Sequence, residues 1–158
     1  MAESGLAWMM LSYFGLGVVS AVLPWINAEI IVLSLPGVAP SKAALMALVV
    51  IATAGQMTGK SFVYWAGRRG NRVLPGRAGI ALEKLKNRLS SRPSRAVVLV
   101  LVSALVGLPP FFLITMVAGA VKMNFLAFLT AGTAGRLVRF GLLVTLPQLA
   151  FSLFKGGV

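Results

Sequence analysis

The chain reads as an all-α integral membrane protein of two halves, each holding a proline-broken, re-entrant hairpin and a transmembrane helix, joined by a basic amphipathic linker. Three observations predict this. Of 158 residues, 58% are hydrophobic and only 11% are charged, far from the balance of a soluble domain. Four long apolar regions (Leu6 to Leu35, Ala43 to Ala66, Ala96 to Val121 and Phe125 to Phe154) are separated by polar breaks. The first and third contain helix breakers where a plain span would be continuous. Residues 1–158 are therefore taken as a single membrane domain, with one half at 6–67, a linker at 68–95 and a second half at 96–154.

In the first half, Leu23-Pro24 breaks the opening helix, and Asn27 and Glu29 follow in apolar surroundings. Leu35-Pro36-Gly37 and then Pro40-Ser41 are expected to make a second turn. The stretch between is about a dozen residues, too short to cross a bilayer but long enough for one hairpin arm. The plain span that comes next, Ala43 to Ala66, carries Gly55 and Gly59, a spacing that lets two helices approach closely. Lys60 is expected to snorkel to the interface. Trp8, Trp25, Trp65, Tyr13 and Tyr64 are read as interface anchors.

The linker holds nine of the fifteen basic residues (Arg68, Arg69, Arg72, Arg77, Lys84, Lys86, Arg88, Arg92 and Arg95) against one acid, Glu83. Such a segment is retained on the cytoplasmic side. Ile80, Leu82, Leu85 and Leu89 are read as one face of a helix lying on the membrane, with a solvated connector as the alternative. Because the charge sits between apolar runs, anionic lipid headgroups, not nucleic acid, are the expected counter-charge.

The second half repeats the first. Gly107-Leu108-Pro109-Pro110 breaks its helix, Gly119 to Asn124 turns around Lys122, and a long apolar run then carries Gly132, Gly135, Arg136 and Arg139. Broken helices at matching places in two halves point to a transport site, because half-helix ends bring unpaired backbone dipoles into the membrane. The alternative is a pair of ordinary proline-kinked spans.

Glu29 is the one carboxylate inside an apolar region, and an acid at membrane depth costs roughly 2.5 to 3.5 kcal/mol to insert, so it needs a partner or a task. Arg136 and Arg139, three apart on one helix face, can neutralise it or hold a lipid phosphate, unless a cytoplasmic turn lies between two shorter segments there. With no His and no Cys, and no pair of neighbouring acids, the sequence offers no catalytic constellation, no metal site and no cofactor site. An enzyme is not expected. A chain of this size would reach a larger assembly by homo-oligomerisation.

The stretch from Gly55 to Gly70, with Gly59, Tyr64, Gly67 and Arg68 at their places in it, resembles the GxxxGxxxxYxxGR signature of the DedA family, also called the VTT or SNARE-associated domain. Leu23-Pro24 to Glu29 resembles that family's proline-containing segment ending in a membrane glutamate. Pro109 to Gly119, followed by Met123 and Phe125, is similar to its second hairpin. The resemblance implies two facing re-entrant hairpins in a bacterial inner or plasma membrane, with translocation or scrambling of a polyprenyl phosphate or phospholipid, proton coupling being one form of it. Glu29 matches the family's hairpin acid and Arg68 its GR arginine, so Glu29, Arg68, Arg136 and Arg139 are the expected substrate-binding or coupling residues. Ser103 to Thr115 lacks the arginines that usually flank the second hairpin's proline, and the Gly135 to Phe140 cluster resembles the small YqaA-like branch. A small ion or cationic-drug exporter using Glu29, and a non-transporting scaffold held by glycine contacts, are the alternatives.

Overall fold

The computed structural model describes residues 2–23, 25–69, 77–90 and 93–155. Pro24 and linker positions 70–76, 91 and 92 lie outside the described residues, as does the side chain of Leu82. Among the described residues there are seven helices and no strand: α1 (Ala2–Val22), α2 (Ala28–Val38), α3 (Lys42–Arg69), α4 (Arg77–Ser90), α5 (Pro93–Val106), α6 (Phe111–Ala120) and α7 (Phe125–Lys155). Three of them, α1, α3 and α7, contain stretches long and apolar enough to cross a membrane. The short helices α2 and α6, of 11 and 10 residues, fall where the two proline-rich breaks place them.

Each half pairs two helices laid along each other, α1 on α3 and α5 on α7, while the short helices between them reach across to the other half. α6 packs chiefly on α3, and α2 packs on α7 as well as on α1 and α3 of its own half. The halves are therefore interlocked. Glycines permit the close contacts: Gly55 and Gly59 of α3 face the backbone carbonyls of Phe14 and Val18 on α1, and Gly135 of α7 faces Leu101 and Ala104 of α5. The α3–α6 contact has a glycine on each side, Gly67 under the Met116 carbonyl and Gly119 under the Tyr64 carbonyl. In lipid, where apolar burial gives helices no preference for one another, this backbone-to-backbone contact supplies the packing energy.

Two apolar clusters flank the centre. One joins α3, α5, α6 and α7 around Tyr64, Phe111, Ile114, Val117 and Phe128. The other joins α2, α3 and α7 around Val32, Leu35, Leu48, Phe140 and Val144. The turns are fixed locally: Ser41 Oγ accepts the Ala44 N–H at 3.1 Å to start α3, and Asn124 Oδ1 accepts the Ala127 N–H at 3.1 Å to start α7. Lys122 takes a left-handed φ of 54° between α6 and α7.

Four sequence expectations are corrected. Pro36 and Gly37 do not end α2, which runs to Val38; a proline in the last turns costs one hydrogen bond, and the Ala39 N–H still closes on Leu35 O at 2.9 Å. Ile80 is not on the face of Leu85 and Leu89. Leu89 is buried in the first cluster with Leu85 against it, whereas Ile80, about 140° around the helix from Leu85, is 60% exposed. Tyr64 is not an interface anchor but fully buried, with its hydroxyl donating to the Met123 carbonyl. Lys60 does not snorkel outward: it is 4% exposed and points into the protein.

A charged cavity between two helix breaks

The first break sets up α2. Asn27 is its N-cap, with Oδ1 accepting the Glu29 N–H at 2.9 Å, and Glu29 stands in the first turn, where a carboxylate complements the positive helix end. The second break sets up α6. Gly107 turns the chain at a left-handed φ of 85°, and Ser103 Oγ donates to the Pro109 carbonyl at 2.6 Å. α6 then starts after Pro110 with no side-chain cap and no acid in its first turn.

The two breaks meet around a cavity of about 360 Å³, lined by Ser20 of α1, Asn27 and Glu29 of the first break, Gln56 and Lys60 of α3, Pro110 to Phe112 of the second, and Arg136 of α7. Its charged groups come from both halves. Arg139 ties the two breaks together, one Nη donating to Glu29 and the other to Leu105 O at 2.9 Å at the end of α5. Gly107 has no Cβ where that guanidinium lies. Arg136, only 8% exposed, is held between the rings of Phe111 and Phe140, with its carbon 4.7 and 5.5 Å from their centroids. Lys60 Nζ donates to Ala21 O at 2.7 Å, filling one acceptor left open where α1 stops, and sits 5.1 Å from the Phe112 ring centroid.

Lys60 and Arg136 line the cavity beside Glu29, whose carboxylate is already paired with Arg139, so the basic groups outnumber the one acid within walls of mixed polar and apolar character. Buried polar atoms nearly always find partners, yet Arg136 Nε, Arg139 Nε and Gln56 Oε1 have none. The Gln56 amide is otherwise occupied, Nε2 donating to Ser20 Oγ at 3.1 Å. The Glu29 side chain keeps about a third of its surface exposed and Trp25 is exposed beside it, so the cavity has a mouth. An anion with several oxygens matches these groups: it would offset the excess charge and accept from guanidinium, ammonium and the uncapped start of α6.

The structure thus brings together Asn27, Glu29, Pro110, Arg136 and Arg139, with Pro109 beside them through Ser103. It does not bring Arg68 to the cavity. Arg68 donates to the Tyr64 hydroxyl at 3.1 Å and lies over Trp65 at the other end of α6, where Gly67 and Gly119 also pack. Sequence reasoning missed Lys60, Gln56, Ser20, Phe111 and Phe112. Gln56 and Lys60 are four apart, on one face of an apolar helix, and that spacing was the available signal.

The fold and the cavity define a small helical membrane protein with a charged site between two broken helices. The family model of the VTT domain matches residues 26–149, most of the chain, and the chain belongs to that family, the DedA superfamily. No curated protein and no solved structure matches it.

Proposed function

We propose that the protein is a membrane transporter that translocates or scrambles a lipid with a phosphate headgroup, and that the cavity between the two breaks receives that headgroup. The observation that carries this reading is the excess of buried positive charge around unpaired guanidinium nitrogens. A cation would add to the excess, and a scaffold would have no use for a charged cavity with a mouth. In this reading α2 and α6 enter the membrane as re-entrant arms from opposite sides, and the interlocked halves rock so that Glu29 and the arginines face each side in turn. Glu29 is the group through which proton movement would couple, since releasing its charge frees Arg139 to bind substrate. The linker at 68–95 faces the cytoplasm of a bacterial cell membrane, with its basic residues and Arg68 against anionic headgroups. The second-half arginines fit the small YqaA-like branch.

The test is reconstitution into vesicles with a fluorescent phosphate-headed lipid, with and without a proton gradient. The wild type is expected to equilibrate the lipid between leaflets, and Glu29→Gln to abolish that while still inserting and folding. Equal flux from Glu29→Gln would reduce Glu29 to a structural ion pair. A reporter fused at Arg77 should read cytoplasmic, and a periplasmic signal would reverse every assigned orientation.

A further inference from the structure

A second concave region lies outside this cavity, between α4 and α5. A groove of about 460 Å³ runs between them, floored by Leu85 and Leu89 of α4 and by Val98, Leu99 and Val102 of α5, with Arg88, Ser94 and Arg95 at one end. The volume is in the range of small-molecule sites. On α5 the order is polar to apolar along one helix face: Arg95, then Val98 and Leu99, then Val102, about 10 Å further along the axis. Val98 is 59% exposed and Val102 is 42% exposed, and below them the exposed Val106 prolongs the same apolar surface. Leu89 is buried against Ala96 and Val100, so the floor is part of the core and not a loose surface.

From this geometry we infer that the α4–α5 groove is a binding site for one anionic phospholipid of the bilayer, with its phosphate at Arg88 and Arg95 and an acyl chain along Val98, Leu99 and Val102. Charge complementarity selects the occupant. Both charged groups lining the groove are cationic, and the helix that forms one wall adds Lys84 and Lys86 against a single acid, Glu83, which pairs with Lys86. A zwitterionic lipid offers the same chain without the net charge, so a preference for anionic lipid is what this arrangement produces. The apolar stripe then distinguishes a seated lipid from a diffuse cloud of headgroups over the linker. The consequence is structural: α4 is fastened to α5 by few contacts of its own, and a lipid wedged between them would hold the linker at the membrane surface. This site does not depend on the central cavity transporting anything.

The experiment is photolabelling of the full-length protein in vesicles with phosphatidylglycerol carrying a diazirine on its acyl chain, mapped by peptide mass spectrometry, beside phosphatidylcholine bearing the same chain. Label from phosphatidylglycerol is expected to concentrate between residues 85 and 102. It should fall about fivefold for Arg88→Ala and for Arg95→Ala, the weight of one basic residue near an anionic surface. Val98→Trp should remove it by filling the groove while leaving both arginines. All three positions are exposed, so these variants leave the core intact. Equal labelling by phosphatidylcholine, or labelling indifferent to the three substitutions, would overturn the site. So would disulfide cross-linking of two Val98→Cys chains together with no lipid label, which would give the groove to a second copy.

Discussion

The two ends of α6 lie against the same helix, α3, yet they are built in opposite ways. At the C-terminal end, Tyr64 is stacked on Phe128 with centroids 5.0 Å apart, its hydroxyl donates to Met123 O and accepts from Arg68, and Arg68 covers Trp65. At the N-terminal end, the helix starts without a side-chain cap and faces Lys60 and Arg136, with buried donors unpaired nearby. One end pairs its polar groups within the protein, and the other leaves several of them unpaired. The same contrast separates the two short helices. α2 carries its own cap and its own acid, whereas α6 carries neither, so the positive end of α6 has no side-chain partner from its own first turn.

Substitutions at the two ends should therefore fail differently. The largest effect is expected from Gly119→Val at the packed end, where even a Cβ meets the Tyr64 carbonyl and the Arg68 backbone nitrogen. Neither can yield, so a loss of about 3 kcal/mol or more, read as unfolding in detergent, is predicted. At the cavity end, Arg136→Ala loses its contacts with Phe111 and Phe140 but also removes a buried charge, so it should cost less stability than Gly119→Val while weakening binding of a phosphate-headed lipid roughly tenfold to a hundredfold, the span for a lost charged hydrogen bond. Arg136→Lys should restore only part of it, because the planar fork is gone. Lys60→Met should act in the same direction by about tenfold. Native mass spectrometry with added phospholipid measures all three.

Returning to the packed end, Tyr64→Phe leaves the Met123 carbonyl without its side-chain donor and Arg68 without its acceptor, and should cost about 1 to 3 kcal/mol while lipid binding stays as in the wild type. The smallest effect is a control. Gly37 lies in α2 with open space around its Cβ position, and Gly37→Ala should stabilise by about 0.5 kcal/mol, against the collapse expected from enlarging Gly119. If Gly37→Ala were as damaging as Gly119→Val, the glycines would not be sorted by close approach.

The backbone plan was legible in the sequence because prolines and glycines act locally. The breaks before Asn27 and after Gly107, and the turn at Lys122, fall where those residues put them, and the two short helices have the predicted length. Pro36 was misread because sequence alone does not say whether a proline stands within a helix's last turns or beyond them. Which face of an apolar helix meets protein and which meets lipid was not legible, since both are apolar and helical periodicity carries little contrast in a membrane. Tyr64 and Lys60 were misplaced for that reason: each lies on the protein-facing side of α3. The pairing of Glu29 with an arginine 110 residues away was anticipated for Arg136 and Arg139 together, with a lipid phosphate as their alternative partner. Only the three-dimensional path of α7 assigns the ion pair to Arg139 and leaves Arg136 between two phenylalanine rings.

Whether the cavity takes a phosphate headgroup, as proposed, is decided by the sign of the ligand that stabilises the protein. Thermal unfolding in detergent would be followed with dodecyl phosphate or dodecyltrimethylammonium added, in an Arg88→Ala/Arg95→Ala background so that the α4–α5 groove does not contribute. A ligand that binds only the folded state raises the melting temperature. The melting temperature should rise with the phosphate, an effect that disappears on adding Arg136→Ala or Lys60→Met, and should not rise with the ammonium. Stabilisation by the ammonium, or stabilisation by the phosphate that survives both substitutions, would contradict the proposal.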